Sequence, residues 1–264
     1  MNTYPLRGRT ALITGASSGL GAEFARQLAA MGCHLVLVAR REGRLQQLSQ
    51  EIAAQHDVHV HIMPLDLAVV DAPQTLHERI RDAGLAVDVL INNAGFGLYG
   101  EHAHIPWEQE RQMLMLDIVA LMQLTKLFLG DMLQRDKGYI LQLSSIGAYQ
   151  PSPAYAAYSA AKTCVLYFGE ALNYELRRSN VSCTVLSPGV TATEFLQVSG
   201  QQPTRYQRLF MMQSPEVVRI GLNAMLRRKP SVVAGRVNAF MVWSNRFIPR
   251  RWSAALTHRL MTMQ

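Results

Sequence analysis

Short apolar runs alternate with segments of helical period along most of this chain. Residues 10–14 form an apolar run long enough for a buried strand and too short for a helix. A glycine-rich turn follows, and apolar positions at helical spacing predict a helix over 19–31. The same alternation predicts strands at 34–39, 58–64, 87–92, 138–144 and 181–187. It places helices at 42–55, 74–83, 108–134 and 154–179. Six apolar strands separated by helices require a parallel sheet covered on both faces. The predicted fold class is therefore α/β, a doubly wound parallel sheet in a single domain over 1–264. The last sixty residues break the rhythm. A helix is predicted at 215–228 and a further strand at 231–234. Residues 237–263 are amphipathic, rich in Met, Trp and Arg, and interrupted at Pro249.

Composition narrows the class. Hydrophobic residues make up 49% and charged residues 17%, enough apolar material for a large core and too little charge for a disordered chain. The formal net charge is +7, and only four of the 26 basic residues are lysine. Arginine favours planar, bidentate partners such as phosphate. The arginines are scattered and no nucleic-acid motif accompanies them, so nucleic acid is not an expected partner. The three cysteines, Cys33, Cys164 and Cys183, are far apart and odd in number, which argues for buried thiols rather than a disulfide framework or a zinc site. His59 and His61 share one strand face, but no further ligands can be placed and no metal is expected. The first ten residues lack an apolar signal core, and no uninterrupted apolar run approaches eighteen residues. The expected location is the cytoplasm, without a membrane-spanning helix.

The turn after the first strand reads Thr14-Gly15-Ala16-Ser17-Ser18-Gly19-Leu20-Gly21. Glycines there allow a tight turn and let a phosphate approach the backbone, while the next helix offers free N–H groups. This context points to a dinucleotide. An acid commonly meets the ribose 2′-hydroxyl of NAD at the end of the second strand. Here the residues are Ala39, Arg40 and Arg41. Arg40, with Arg41, can pair with a 2′-phosphate, so NADP(H) is expected over NAD(H). A solvated arginine pair beside the next helix is the alternative.

Tyr158 and Lys162 are four residues apart on a predicted helix, hence on one face. An ammonium beside a phenol favours the phenolate and lowers its pKa from about 10, which makes the tyrosine a usable proton donor and acceptor. Ser145, thirteen residues earlier, can hold a substrate carbonyl oxygen.

Together these motifs resemble the short-chain dehydrogenase/reductase family, over residues 8–195. The matching segments are Thr14-Gly-x-x-x-Gly19-x-Gly21, Asn92-Asn93-Ala94-Gly95, Ser145, Tyr158-x-x-x-Lys162 and Ser187-Pro188-Gly189. The resemblance implies a Rossmann-like fold and carbonyl–alcohol interconversion with a nicotinamide cofactor, here of the NADP(H)-preferring branch. It implies that Tyr158 exchanges the proton, that Lys162 holds the nicotinamide ribose, and that Ser145, rather than Ser144, orients the carbonyl. Gly15, Ser17, Ser18, Gly19, Leu20 and Gly21 would cradle the phosphates. Asp66 and Leu67 would meet the adenine, with a helix cap as the alternative for Asp66. Asn92, Ala94 and Gly95 would pack along the cofactor, and Pro188, Gly189, Val190 and Thr193 would line the nicotinamide. The family often has asparagine in the helix after strand four. Asp117 stands at that position, where a backbone role survives the change and a side-chain role is open. The family resemblance also implies a homodimer or homotetramer.

The substrate is expected to be an apolar ketone, aldehyde or alcohol. Its pocket should draw on region 190–230, with Phe195, Leu196, Val198, Tyr206, Leu209, Phe210, Met211 and Met212, and on Phe96, Tyr99, Tyr149 and Tyr155. For the tail, Arg246, Arg250, Arg251 and Arg259 beside Trp243, Phe247 and Trp252 leave three roles open: a lid, an oligomer contact or a membrane-docking element. A non-catalytic, NADP(H)-binding regulator of the same fold is the alternative to an enzyme, and the intact Ser145, Tyr158 and Lys162 favour the enzyme.

Overall fold

The computed structural model describes residues 6–262, apart from the side chain of Tyr206. Seven strands make one parallel sheet: β1 (Thr10–Thr14), β2 (His34–Ala39), β3 (Val60–Pro64), β4 (Val87–Asn92), β5 (Gly138–Leu143), β6 (Val181–Ser187) and β7 (Ser231–Val233). Their order is β3-β2-β1-β4-β5-β6-β7. The chain winds outward from β1 to one edge, then returns to build the other half from β4. A crevice opens outside the carboxyl ends of the strands where the order reverses, here between β1 and β4.

Helices cover both faces because the strands are apolar on both. Phe24 and Leu28 of α1 (Gly19–Ala30), Leu45 of α2 (Glu42–Gln55) and Leu222 of α9 (Ser214–Leu226) pack on one face. Leu76 of α3 (Ala72–Asp82), Phe128 of α5 (Leu121–Gln134) and Leu172 of α6 (Ala156–Glu175) pack on the other. Each such side chain stabilises the fold by roughly 1.5–3 kcal/mol relative to exposure.

The six strands read from the sequence are present, and the fourteen-residue α2 has the bounds expected of it. The edge strand β3 begins at Val60 rather than at residue 58. Its approach is irregular because the His59 N–H is taken by the His34 ring at 3.0 Å and the two rings lie 4.8 Å apart.

The predicted helix over 108–134 is not uniform. α4 (Trp107–Leu114) passes into a π-helical turn, Met115–Ala120, before α5. Taken together, Trp107–Gln134 is 28 residues long with a mean hydropathy of 1.7 in its most apolar window. By length and composition alone that is enough to cross a bilayer, although no uninterrupted apolar run within it approaches eighteen residues. Its residues Leu124, Phe128 and Met132 are buried in the sheet-facing cluster, the placement of a core helix.

After β6 the chain leaves the sheet and forms α7 (Phe195–Ser199) and α8 (Arg205–Phe210), then α9 and β7. α10 (Arg236–Ser244) and α11 (Arg250–Thr262) complete it, separated by the break expected at Pro249. Cys33, Cys164 and Cys183 are free thiols, and burial pushes the first and last up to about 12.

Candidate active site

The turn from β1 to α1 is shaped by two glycines. Gly15 has φ +66°, a conformation that side chains rarely adopt. A Cβ on Gly21 would stand 2.2 Å from the Gly15 carbonyl oxygen, so only glycine fits there. The start of α1 has no side-chain cap from Ser18, and Ser18, Gly19 and Leu20 line the crevice. Thr14 ties this turn to β4, since its Oγ1 accepts from the N–H groups of Asn93 and Ala94, both at 3.0 Å. The Asn93 side-chain amide donates to the Thr14 carbonyl at 2.9 Å. A single cavity of about 610 Å³ runs along the strand ends from this turn to the catalytic residues.

Of the residues assigned to the cofactor, Gly15, Ser17, Ser18, Gly19, Leu20, Arg40, Arg41, Asp66, Leu67, Ala94, Gly95, Pro188, Gly189, Val190 and Thr193 line it. Asn92 does not. Its side chain points into the protein, donating to Thr125 Oγ1 and Gln142 Oε1, both at 3.0 Å. Neighbours on a strand face opposite ways, so Asn93, not Asn92, takes the cleft side. Gly21 acts from beneath, by leaving room for the turn.

At the second strand Arg41, more than Arg40, holds the central position. Its guanidinium donates to Ser17 Oγ at 3.0 Å, Ser18 Oγ at 2.6 Å and Glu194 at 2.9 Å. Arg44 donates to the other Glu194 oxygen at 2.5 Å. These hydrogen bonds hold the Glu194 carboxyl down at about 2. Arg40 is largely exposed and lies 3.7 Å from Asp66. Asp66 also accepts from the Ala68 N–H at 3.0 Å, so it fills the turn-capping role as well as lining the cleft. Neither Arg44 nor Glu194 was singled out from the sequence; Arg44, one helical turn after Arg40, carried the available signal.

The catalytic candidates converge at the other end. Ser145 follows β5, its Oγ accepts from the Gly147 N–H at 3.1 Å, and it lines the cavity together with Tyr158. Ser144 is turned away and donates to the Lys162 carbonyl at 2.7 Å. Lys162 is buried. Its Nζ donates to the Leu143 carbonyl at 3.2 Å and stands 5.6 Å from the Tyr158 ring centre.

Asp117 alters the expected electrostatics. Aimed by the π-helical turn, it is fully buried, with Oδ2 2.8 Å from Lys162 Nζ. That contact is an ion pair in distance but is not aligned as a hydrogen bond. Oδ1 accepts from the Phe96 N–H at 3.1 Å. Burial drives the Asp117 carboxyl upward, against the pull of Lys162 and the Phe96 N–H. The Tyr158 phenol is raised rather than lowered: burial is the main cause, Asp117 adds to it, and the Ser145 hydrogen bond opposes it. Lys162 thus stands beside a buried carboxyl, a contact that the Tyr-x-x-x-Lys spacing did not reveal.

The pocket beyond Tyr158 is aromatic. Tyr155 lies 5.4 Å from Tyr99 and 5.7 Å from Tyr158, and Phe195 lies 5.3 Å from Tyr158, centre to centre. Phe96, Leu196 and Val198 line the cavity too. Tyr149 instead approaches Ser187, Oη to Oγ 3.5 Å, and Leu209 is exposed. Met212 packs against the core. The side chain of Tyr206 lies outside the described residues. Gln201 and Gln207, unremarked in the sequence, form a buried pair at 2.9 Å, and Gln201 accepts from the Tyr155 hydroxyl at 2.9 Å.

A glycine-built phosphate cradle at a sheet reversal, continuous with a serine, a tyrosine and a lysine, defines a dinucleotide-dependent oxidoreductase. The short chain dehydrogenase model matches residues 9–204, and the chain belongs to that family. It is 32% identical over 196 residues to a dehydrogenase/reductase SDR family protein 7-like of Anopheles gambiae, covering 73% of this chain and 62% of that protein. It is 28% identical over 261 residues to 17-beta-hydroxysteroid dehydrogenase type 3 of Mus musculus, covering 96% and 85%. Among solved structures, a 7beta-hydroxysteroid dehydrogenase superposes with a TM-score of 0.88 at 24% identity over 97% of this chain and 99% of its own. A short-chain dehydrogenase from Sphingobium yanoikuyae in complex with NADPH gives 0.79 at 29% identity, over 90% and 94%. One from Burkholderia phymatum in complex with NAD gives 0.82 at 23%, over 93% and 95%.

Proposed function

We propose that this protein is an NADP(H)-dependent oxidoreductase that interconverts a ketone or aldehyde and an alcohol on an apolar small molecule, with Tyr158 handling the proton. The observation that carries the reading is the continuity of one cavity from the glycine turn and Arg41 to Ser145 and Tyr158. The residues fit a dinucleotide: a Cβ at Gly21 would strike the Gly15 carbonyl that shapes the cradle, and Arg40 and Arg41 line the cleft where a 2′-phosphate would sit, beside the Arg44–Glu194 pair. When bound, the nicotinamide supplies or takes the hydride at the substrate carbon.

The chain's own residues do the rest. Ser145 Oγ holds the substrate oxygen beside Tyr158. The raised pKa of Tyr158 keeps its proton in place at neutral pH, so the hydroxyl is ready to protonate the oxygen formed on reduction. Lys162 spends one donor on the Leu143 carbonyl and stands beside the Asp117 carboxyl, and a further donor is available to a cofactor ribose hydroxyl. Asp117 fixes Lys162 through its carboxylate rather than through its backbone. The aromatic wall of Tyr155 and Phe195 favours an apolar substrate of some bulk. One relative, the 17-beta-hydroxysteroid dehydrogenase type 3 of Mus musculus, is named for a substrate of that kind. We place the protein in the cytoplasm as a homo-oligomer, with Tyr167 and Tyr174 on one face of α6 exposed to a second copy.

The test is NADPH oxidation by the purified full chain over a panel of small and bulky apolar ketones and aldehydes. Turnover on bulky apolar carbonyls, faster with NADPH than NADH, is expected. Tight NADPH binding with no turnover on any carbonyl would favour the regulator instead.

A further inference from the structure

The charge of this protein is unevenly placed. After Glu216 the sequence contains nine basic residues and no acidic one. Up to and including it lie 17 basic and 19 acidic residues. The whole positive excess therefore belongs to α9, β7, α10 and α11 and their connections.

The same segment carries the most exposed aromatic surface. Phe240, Trp243, Phe247 and Trp252 are each more than half exposed. Phe240, Trp243 and Phe247 follow one another at helical spacing, with ring centres 6.0 and 5.1 Å apart. On α11, Trp252 and Leu256 are exposed one turn apart, while Ser253 and Thr257 face inward. The segment is anchored to the fold. Asn245 donates to the Tyr149 carbonyl at 2.9 Å and accepts from Ser253 at 2.7 Å. The exposed rings are thus presented on a held platform. Among the described residues, none of Arg236, Arg246, Arg250, Arg251 and Arg259 is in an ion pair.

From these observations we infer that α10 and α11 dock on an anionic lipid surface. Aromatic rings settle at the boundary between headgroups and acyl chains, and unpaired arginines meet lipid phosphates and carboxylates. A second copy of the chain is the poorer occupant. A two-fold interface sets a patch against itself, and here arginines would face arginines with no carboxylate between them. Met261 of α11 lines the catalytic cavity and its carbonyl accepts from Gln201. The docking helix is therefore also a wall of the substrate site.

Co-sedimentation of the full chain with vesicles tests this. Phosphatidylcholine vesicles containing phosphatidylserine should retain the protein at least about tenfold better than pure phosphatidylcholine at low salt, and less as salt rises. Replacing Arg246, Arg250 and Arg251 by serine should weaken retention on the order of a hundredfold. Replacing Phe240, Trp243 and Phe247 by serine should abolish it, with melting temperature and NADPH binding unchanged. Equal retention by both vesicle types, or by neither, overturns the inference. So does self-association lost in the aromatic variant, or retention on RNA or DNA but not on vesicles.

Discussion

The two ends of the cavity are built differently. At the cofactor end, backbone makes the site: a glycine turn, the N-terminus of α1 and the ends of β1 and β4. At the substrate end, side chains from distant segments make it: Tyr155 from before α6, Phe195 from α7, Gln201 and Gln207 from the region of α8, and Met261 from α11. A backbone site demands glycine at fixed places and tolerates little change. A side-chain site can be rebuilt by substitution while the frame stays the same, which is how one fold serves many substrates.

The largest effect expected from this contrast is at Gly21. Gly21→Ala places a methyl against the Gly15 carbonyl and should lower NADPH affinity on the order of a hundredfold, with a lower melting temperature. Gly43→Ala on α2 meets no atom within 4 Å and should leave both unchanged or raise stability. Comparable losses in the two variants would break the comparison. Next is Arg41→Ala, which should weaken NADPH about ten- to a hundredfold while leaving NADH nearly unaffected. Arg40→Ala should do less, because Arg41 holds the inner position. Phe195→Ala should raise KM for a bulky apolar ketone about tenfold with NADPH affinity unchanged, as measured by separate binding and steady-state titrations.

A smaller, directional effect concerns Asp117. Its carboxylate helps hold the Tyr158 proton, so Asp117→Asn should make that proton easier to lose. Alcohol oxidation needs the deprotonated tyrosine and rises with pH. In the variant that rise should begin at lower pH, whereas a merely structural Asp117 would leave the pH profile in place.

The same contrast explains what the sequence told in advance. The glycine turn and the succession of strands along the chain are local patterns and are present in the fold, and the serine, tyrosine and lysine of the local motifs meet at one cavity. Asn92 and Asn93 were exchanged because the motif names both, while strand alternation chooses between them. Glu194 lies 153 residues from Arg41, so no local pattern joins them. The π-helical turn that aims Asp117 leaves no mark in hydrophobic periodicity, since residues 108–134 satisfy an ordinary helix. Gln201 and Gln207 are polar residues in a polar stretch, and only packing shows that both are buried.

The central claim is that Tyr158 carries the proton at a site whose cofactor end stands apart from it. Tyr158→Phe removes one hydroxyl and little volume. Measured on a bulky ketone that the wild type reduces, kcat should fall about a hundred- to ten-thousandfold, while the NADPH dissociation constant changes less than about twofold. Turnover at the wild-type rate with intact NADPH binding would contradict the account.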